Sequence, residues 1–213
     1  MNIGLIVIAA NVLFSYKGFE NYAFFERYKF NIAAVRNGDS IRILSAGFLH
    51  VDWTHLLFNM LTFYFFEGVV SGYLGNTKML LIYFASLLFG NVLTIVLHKN
   101  EPYYSAVGAS GAVTGILYAA ILLQPGMDLF LFFIPIPIPA YVFGIGYLLY
   151  SIYGMKTRSD NIGHSAHFGG AVGGYLLTLL FAPWLVTENL KMVLLLAAPI
   201  VLLYVLHKTG KLN

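Results

Sequence analysis

The chain has 213 residues, 59% of them hydrophobic and 10% charged, with a net charge of +3. Soluble domains carry about 25% charged residues, so the composition excludes an ordinary water-soluble domain, and the scattered basic residues leave no nucleic-acid footprint. With no cysteine, disulfides, thiolate metal sites and a cysteine nucleophile are all excluded.

Repeated apolar runs predict a polytopic membrane protein. The spans should be helices, because lipid offers stray backbone groups no partner and no run alternates with period two. In chain order they are expected at about 2–16, 54–70, 79–97, 109–124, 129–153, 166–186 and 190–207. The first, which includes "LIVIAANVLF", lacks the basic flank and cleavage site of a signal peptide. Residues 17–53 are the long connection, and "NYAFFERYKF" and "RNGDSIRIL" predict a structured amphipathic element at the membrane surface. In the fifth span "IPIPIPAY" sets prolines at every second position. The helix should therefore begin near Ala140, after a re-entrant or interfacial segment.

Polar groups inside spans are costly, so each is a functional candidate. The second span carries His55 and Asn59, with Glu67 toward its far end. The fourth carries Ser110 and Thr114, and His164 and His167 open the sixth. Alternate spans run parallel, so His55, Ser110 and His167 should lie at one depth near one water interface. His55 and Asn59, at i and i+4, share a helical face. Gly111 and Gly115 form G-x-x-x-G after Gly108, and Gly170 and Gly174 form a second one, with His167 on its face. Such small-residue faces let helices approach closely in lipid. If the two pack together, Ser110 and His167 come within hydrogen-bond reach, which is the arrangement of an activated nucleophile and its base. His55, Asn59 and the Ser110 amide are suitable donors for an oxyanion. No aspartate is close to His167 in sequence, and Asp160 is expected in a loop, so a Ser-His dyad fits better than a triad.

At these residues the chain resembles the rhomboid intramembrane serine proteases. The resemblance is carried by Arg42 in "IRIL", His50, "HLLFN" at 55–59, "GASG" at 108–111, "AHFGG" at 166–170 and Gly174. It implies an all-α, six-helix membrane bundle with a core over about 40–186, extended by a seventh span over about 190–207, all in one domain covering 1–213. It also implies Ser110 as nucleophile, His167 as general base, and His55 with Asn59 at the oxyanion hole. His50, Arg42, Gly108, Gly111 and Gly170 would support the site. The expected partners are the bilayer and transmembrane protein substrates, with no cofactor and no nucleic acid. A multi-pass location follows, in the plasma or inner membrane if the protein is bacterial.

The chain departs from the family pattern in places. Ile41 stands where many rhomboids have a tryptophan. Thr114 takes the place, four residues after the nucleophile, of an aromatic that supports the histidine, so the packing of His167 must differ. An acidic residue late in the second span is shifted, with Glu67 nearest and Ser71 in the aligned place. The implied topology, with a cytoplasmic N-terminus, puts only Lys78 and Lys191 on the inner side, the reverse of the positive-inside rule.

Other readings carry less. Ser110 alone would be a packing residue, and His55 with Asn59 would be an interhelical bond. Thr114 can bond its own helix and gets no catalytic role. "HSAH" sets His164 and His167 at i and i+3, but H-E-x-x-H is absent and a catalytic zinc needs three protein ligands, so no metal is expected. G-x-S-x-G fails at Ala112. No repeat supports a transporter. The remaining alternative is an inactive rhomboid-like protein that binds client helices.

Overall fold

The computed structural model describes residues 3–131, 134–158, 160 and 162–212. The protein is an all-α polytopic membrane fold. α1 (Ile3–Glu20) is followed by a surface layer of α2 (Tyr22–Tyr28), β1 (Phe30–Asn31), α3 (Ile32–Arg36), α4 (Ile41–Ser45) and a 3-10 turn at Ala46–Phe48. Asn21 and Asn31 start α2 and α3, each accepting a bond at 2.9 Å from the amide three residues on. The structured surface element expected over 17–53 is this layer. It is tied down by aromatic contacts, Phe14 with Phe24 and Phe48, and Phe19 with Trp53.

Asp52 caps α5 (Trp53–Leu74), accepting from the His55 amide at 2.7 Å. α5 reaches four residues beyond the expected span, and α6 (Asn76–Leu97) begins after Gly75 alone. Gly75 adopts φ +81°, a turn conformation that a side chain would strain. Glu67 is buried on α5 against Gly4 of α1.

β2 (Ser105–Ala106) pairs antiparallel with β1, Phe30 opposite Ala106 and Asn31 opposite Ser105, and leads into α7 (Ser110–Leu123). α7 is the core of the bundle: Gly111 to Leu123 are all buried. At 1.5 Å per residue it is about 21 Å long, short of the ~30 Å hydrocarbon core, so it does not span the whole of that core.

The fifth expected span divides. Its helix, α8 (Ala140–Thr157), begins at Ala140, and the segment before it is a hairpin of β3 (Asp128–Leu131) and β4 (Ile134–Pro139). Prolines at alternate positions leave every missing N–H on one edge of β4, so the isoleucine amides on the other edge remain free to pair. α9 (His164–Phe181), the short α10 (Leu185–Glu188) and α11 (Leu190–Lys208) follow. α11 covers the seventh expected span. It packs on α8 and α9 through Leu196, close to Gly144, and through a Tyr175 hydroxyl bond to the Val193 carbonyl at 3.0 Å. Among the described residues, α1, α6 and α11 are long and apolar enough to cross a membrane by length and composition.

α9 is wedged between α6 and α7 by its "GGAVGG" run. A Cβ on Gly169 would stand 2.6 Å from the Phe89 carbonyl oxygen, and one on Gly173 3.0 Å from Ser86 Cα, both on α6. On the other side, a Cβ on Gly170 would overlap the Gly111 carbonyl, and one on Gly174 the Gly115 carbonyl, both on α7. The two expected glycine faces do pack together.

Candidate active site

Three strands of the fold converge on Ser110. The first is the chain before it. Gly108 donates its amide to the Ala46 carbonyl at 3.0 Å and takes φ +129°. Its Cα face is covered by the His55 ring, which a Cβ there would meet at 2.8 Å. Only glycine lets the chain pass that close to His55. Ala109 donates its amide to His50 Nε2 at 3.4 Å. Ser110 is then the first residue of α7, where the backbone amide has no acceptor within the helix.

The second is α9. Its backbone contact with α7 sets the His167 imidazole beside the serine, with Nε2 2.6 Å from Ser110 Oγ. The third is α5, whose His55 ring lies against Gly108 beside Ser110 and whose Asn59 is buried one turn further along. Asn59 gives one amide hydrogen to the His55 carbonyl at 3.1 Å and has a second to give. Chemically, this is a hydroxyl against a nitrogen base, with the His55 ring close by.

Of the other expected residues, His50 touches the loop before Ser110, whereas Arg42 lies in the surface layer. His50 is fully buried in the loop before α5. Its Nε2 accepts from Ala109, so its Nδ1 carries the proton and donates to Ser15 Oγ on α1 at 2.8 Å. Ser15 in turn donates to the Phe48 carbonyl at 2.9 Å. Burial pushes the His50 pKa down to about 3, which holds the ring in the neutral form this chain of bonds requires. Arg42 donates to the Asp39 carboxylate at 2.8 Å and to the Glu26 and Lys29 carbonyls at 2.8 and 2.9 Å, closing the surface layer on itself. The Arg42 bond, with Arg27 also paired to Asp39, holds that carboxyl below its ordinary value.

Other expected residues lie beside the centre. Thr114 donates to the Ser110 carbonyl at 2.7 Å, as a residue bonding its own helix. Asp160 is in the loop before α9. It engages His164 Nε2 at 3.0 Å and the Tyr150 hydroxyl at 2.9 Å rather than His167. Among the described residues no cluster of metal-ligating side chains occurs.

Two neighbours were not singled out by sequence. Tyr147 of α8 stacks on the His167 ring, with centroids 5.6 Å apart, and its hydroxyl lies 2.8 Å from His167 Nδ1. In sequence it is one aromatic among many in "GIGYLLY" and carries no separate signal. Ser15 had one. With Asn11 it forms an i, i+4 polar pair inside the first span, both fully buried, and the rule that flagged His55 and Asn59 applies to it equally.

A family model described as the Rhomboid domain matches residues 37–184. The rhomboid-named protein YdcA of Bacillus subtilis is 33% identical over 150 residues, 68% of this chain and 69% of that protein. RHOMBOID-like protein 12, mitochondrial, of Arabidopsis thaliana is 28% identical over 184 residues, 79% of this chain and 54% of that protein. Rhomboid protease GluP of Bacillus subtilis is 31% identical over 145 residues, 66% of this chain and 26% of that protein. The chain thus spans about half the length of the Arabidopsis relative and about a quarter of GluP.

Proposed function

The chain belongs to the rhomboid family, and we propose that it is an intramembrane serine endopeptidase acting as a single membrane domain on other membrane proteins. It would hydrolyse peptide bonds within or near their transmembrane segments. The observation that carries this reading is the 2.6 Å contact between Ser110 Oγ and His167 Nε2. A bilayer-embedded serine and histidine held together by backbone-to-backbone helix packing need a reason for their polarity, and nucleophile activation supplies one.

In the reaction, Ser110 Oγ attacks the scissile carbonyl carbon while His167 Nε2 takes the hydroxyl proton. The carbonyl oxygen, now negative, is met by the Ser110 amide, the His55 ring and the free Asn59 amide hydrogen. His167 then gives its proton to the leaving amine as the C–N bond breaks. Water repeats the sequence on the acyl-enzyme and releases Ser110. A substrate helix must unwind to present its carbonyl, so small or helix-weakening residues are expected near the cut.

The test is cleavage of a transmembrane reporter by purified wild type and Ser110→Ala matched for thermal stability. Cleavage by wild type alone is expected, and equal cleavage by the variant would sink the assignment. An inert wild type would favour the client-binding alternative.

A further inference from the structure

For His167 Nε2 to accept the Ser110 proton, the neutral ring must carry its hydrogen on Nδ1, and that hydrogen needs an acceptor. A carboxylate does not supply it, since Asp160 is spent on His164 and Tyr150. The atom 2.8 Å from Nδ1 is the Tyr147 hydroxyl oxygen. A hydroxyl can also donate, however. If Tyr147 donated to Nδ1, the hydrogen would sit on Nε2 and the base would be blocked.

The role of the base sets the direction. His167 Nε2 faces Ser110 Oγ at 2.6 Å, so a ring that takes the serine proton keeps its own hydrogen on Nδ1, and the Tyr147 oxygen accepts it. We propose that Tyr147 is a positioning residue for His167, its hydroxyl oxygen holding Nδ1–H at 2.8 Å and its ring stacked on the imidazole.

This pairing answers the departure at position 114, where a threonine stands in place of the aromatic support expected four residues after Ser110. The ring comes instead from α8, stacked on His167 at 26° between planes. The hydroxyl also stabilises the imidazolium that forms during the reaction, because its oxygen still accepts from Nδ1–H when both ring nitrogens are protonated.

The proposal rests on Ser110 and His167 being nucleophile and base, and the experiment separates the two. Reporter cleavage is measured for wild type, Ser110→Ala, Tyr147→Phe and Tyr147→Leu, each checked for its unfolding temperature. Tyr147→Phe keeps the stacked ring and removes only the hydroxyl. It should lower kcat by about 10–100-fold, the scale seen when a metal-bound histidine loses the partner that fixes its tautomer, and leave KM within about twofold. Tyr147→Leu removes the stacked ring as well and should fall at least as far in kcat. An unchanged kcat in a folded Tyr147→Phe, or a loss confined to KM, would overturn the proposal while leaving the protease reading intact. A wild type no more active than Ser110→Ala would take down both.

Discussion

Gly170 of α9 lies directly against the backbone carbonyl of Gly111 on α7, with no room for even a methyl group between them. Each glycine is close in sequence to a residue of the proposed dyad: Gly111 follows Ser110, and Gly170 is three residues after His167. The spacing of the two helices therefore governs the contact between Ser110 and His167. Gly170→Ala should destabilise the fold by about 1–3 kcal/mol, the usual scale for overpacking, and abolish most activity by parting α7 from α9. Gly146→Ala on α8, where a Cβ meets nothing within 4 Å, should leave both unchanged or raise stability slightly. Thermal unfolding in detergent and reporter cleavage read the two effects.

His55 and Asn59, as the proposed oxyanion donors, are expected to act on kcat. His55→Ala and Asn59→Ala should each lower it by about 10²–10³-fold, as for loss of one donor, with smaller changes in KM. Gly108→Ala should inactivate by a different route, since its Cβ would strike the His55 ring in a backbone conformation that side chains rarely adopt. Steady-state kinetics on the reporter distinguish these variants.

His50 makes stability pH-dependent. Its folded pKa of about 3 lies below the ordinary value of 6.5, so protonation favours the unfolded chain. Its contribution is complete above pH 6.5 and is lost as pH falls toward 3, with a slope of up to ~1.4 kcal/mol per pH unit. His50→Gln can still accept from Ala109 and donate to Ser15 but cannot titrate. Its unfolding temperature should fall less than that of wild type between pH 6.5 and 4.5, a window above the carboxylate range.

Arg42 should not be replaceable by lysine. The guanidinium serves one carboxylate and two carbonyls at once from a half-buried position, and an ammonium cannot span that fork. Arg42→Lys and Arg42→Ala should both cost about 1.5–3 kcal/mol, the scale of hydrogen bonds to a charged group. Because Asp39 is held below its ordinary pKa mainly by Arg42, part of that difference should vanish once pH falls far enough to protonate Asp39. Chemical denaturation at neutral and acid pH would show it.

The legible parts of the molecule were those written as exceptions to lipid. Serine, histidine, asparagine and paired glycines stand out against leucine and valine, and parallel spans fix their common depth, so Ser110, His167, His55 and Asn59 could be grouped before any coordinates. The start of α8 at Ala140 followed from proline chemistry alone. What could not be read was whatever used ordinary membrane residues. Tyr147 is chemically unremarkable among 15 tyrosines, and only α8 packing sets its hydroxyl on His167. The single-residue turn at Gly75 was missed because "SGYLGNTK" has a loop-like composition but folds as helix on both sides. The packing of Gly169 and Gly173 on α6 was not legible because the Gly170/Gly174 pair marks one face of α9, whereas the helix packs through two.

The central claim is that Ser110 is a nucleophile made reactive by His167. Purified protein treated with a fluorophosphonate and digested for mass spectrometry tests it at the atom concerned. A phosphonyl adduct on Ser110 is predicted, lost in His167→Ala of unchanged unfolding temperature. An adduct on another residue, or equal labelling of Ser110 without His167, would contradict the account.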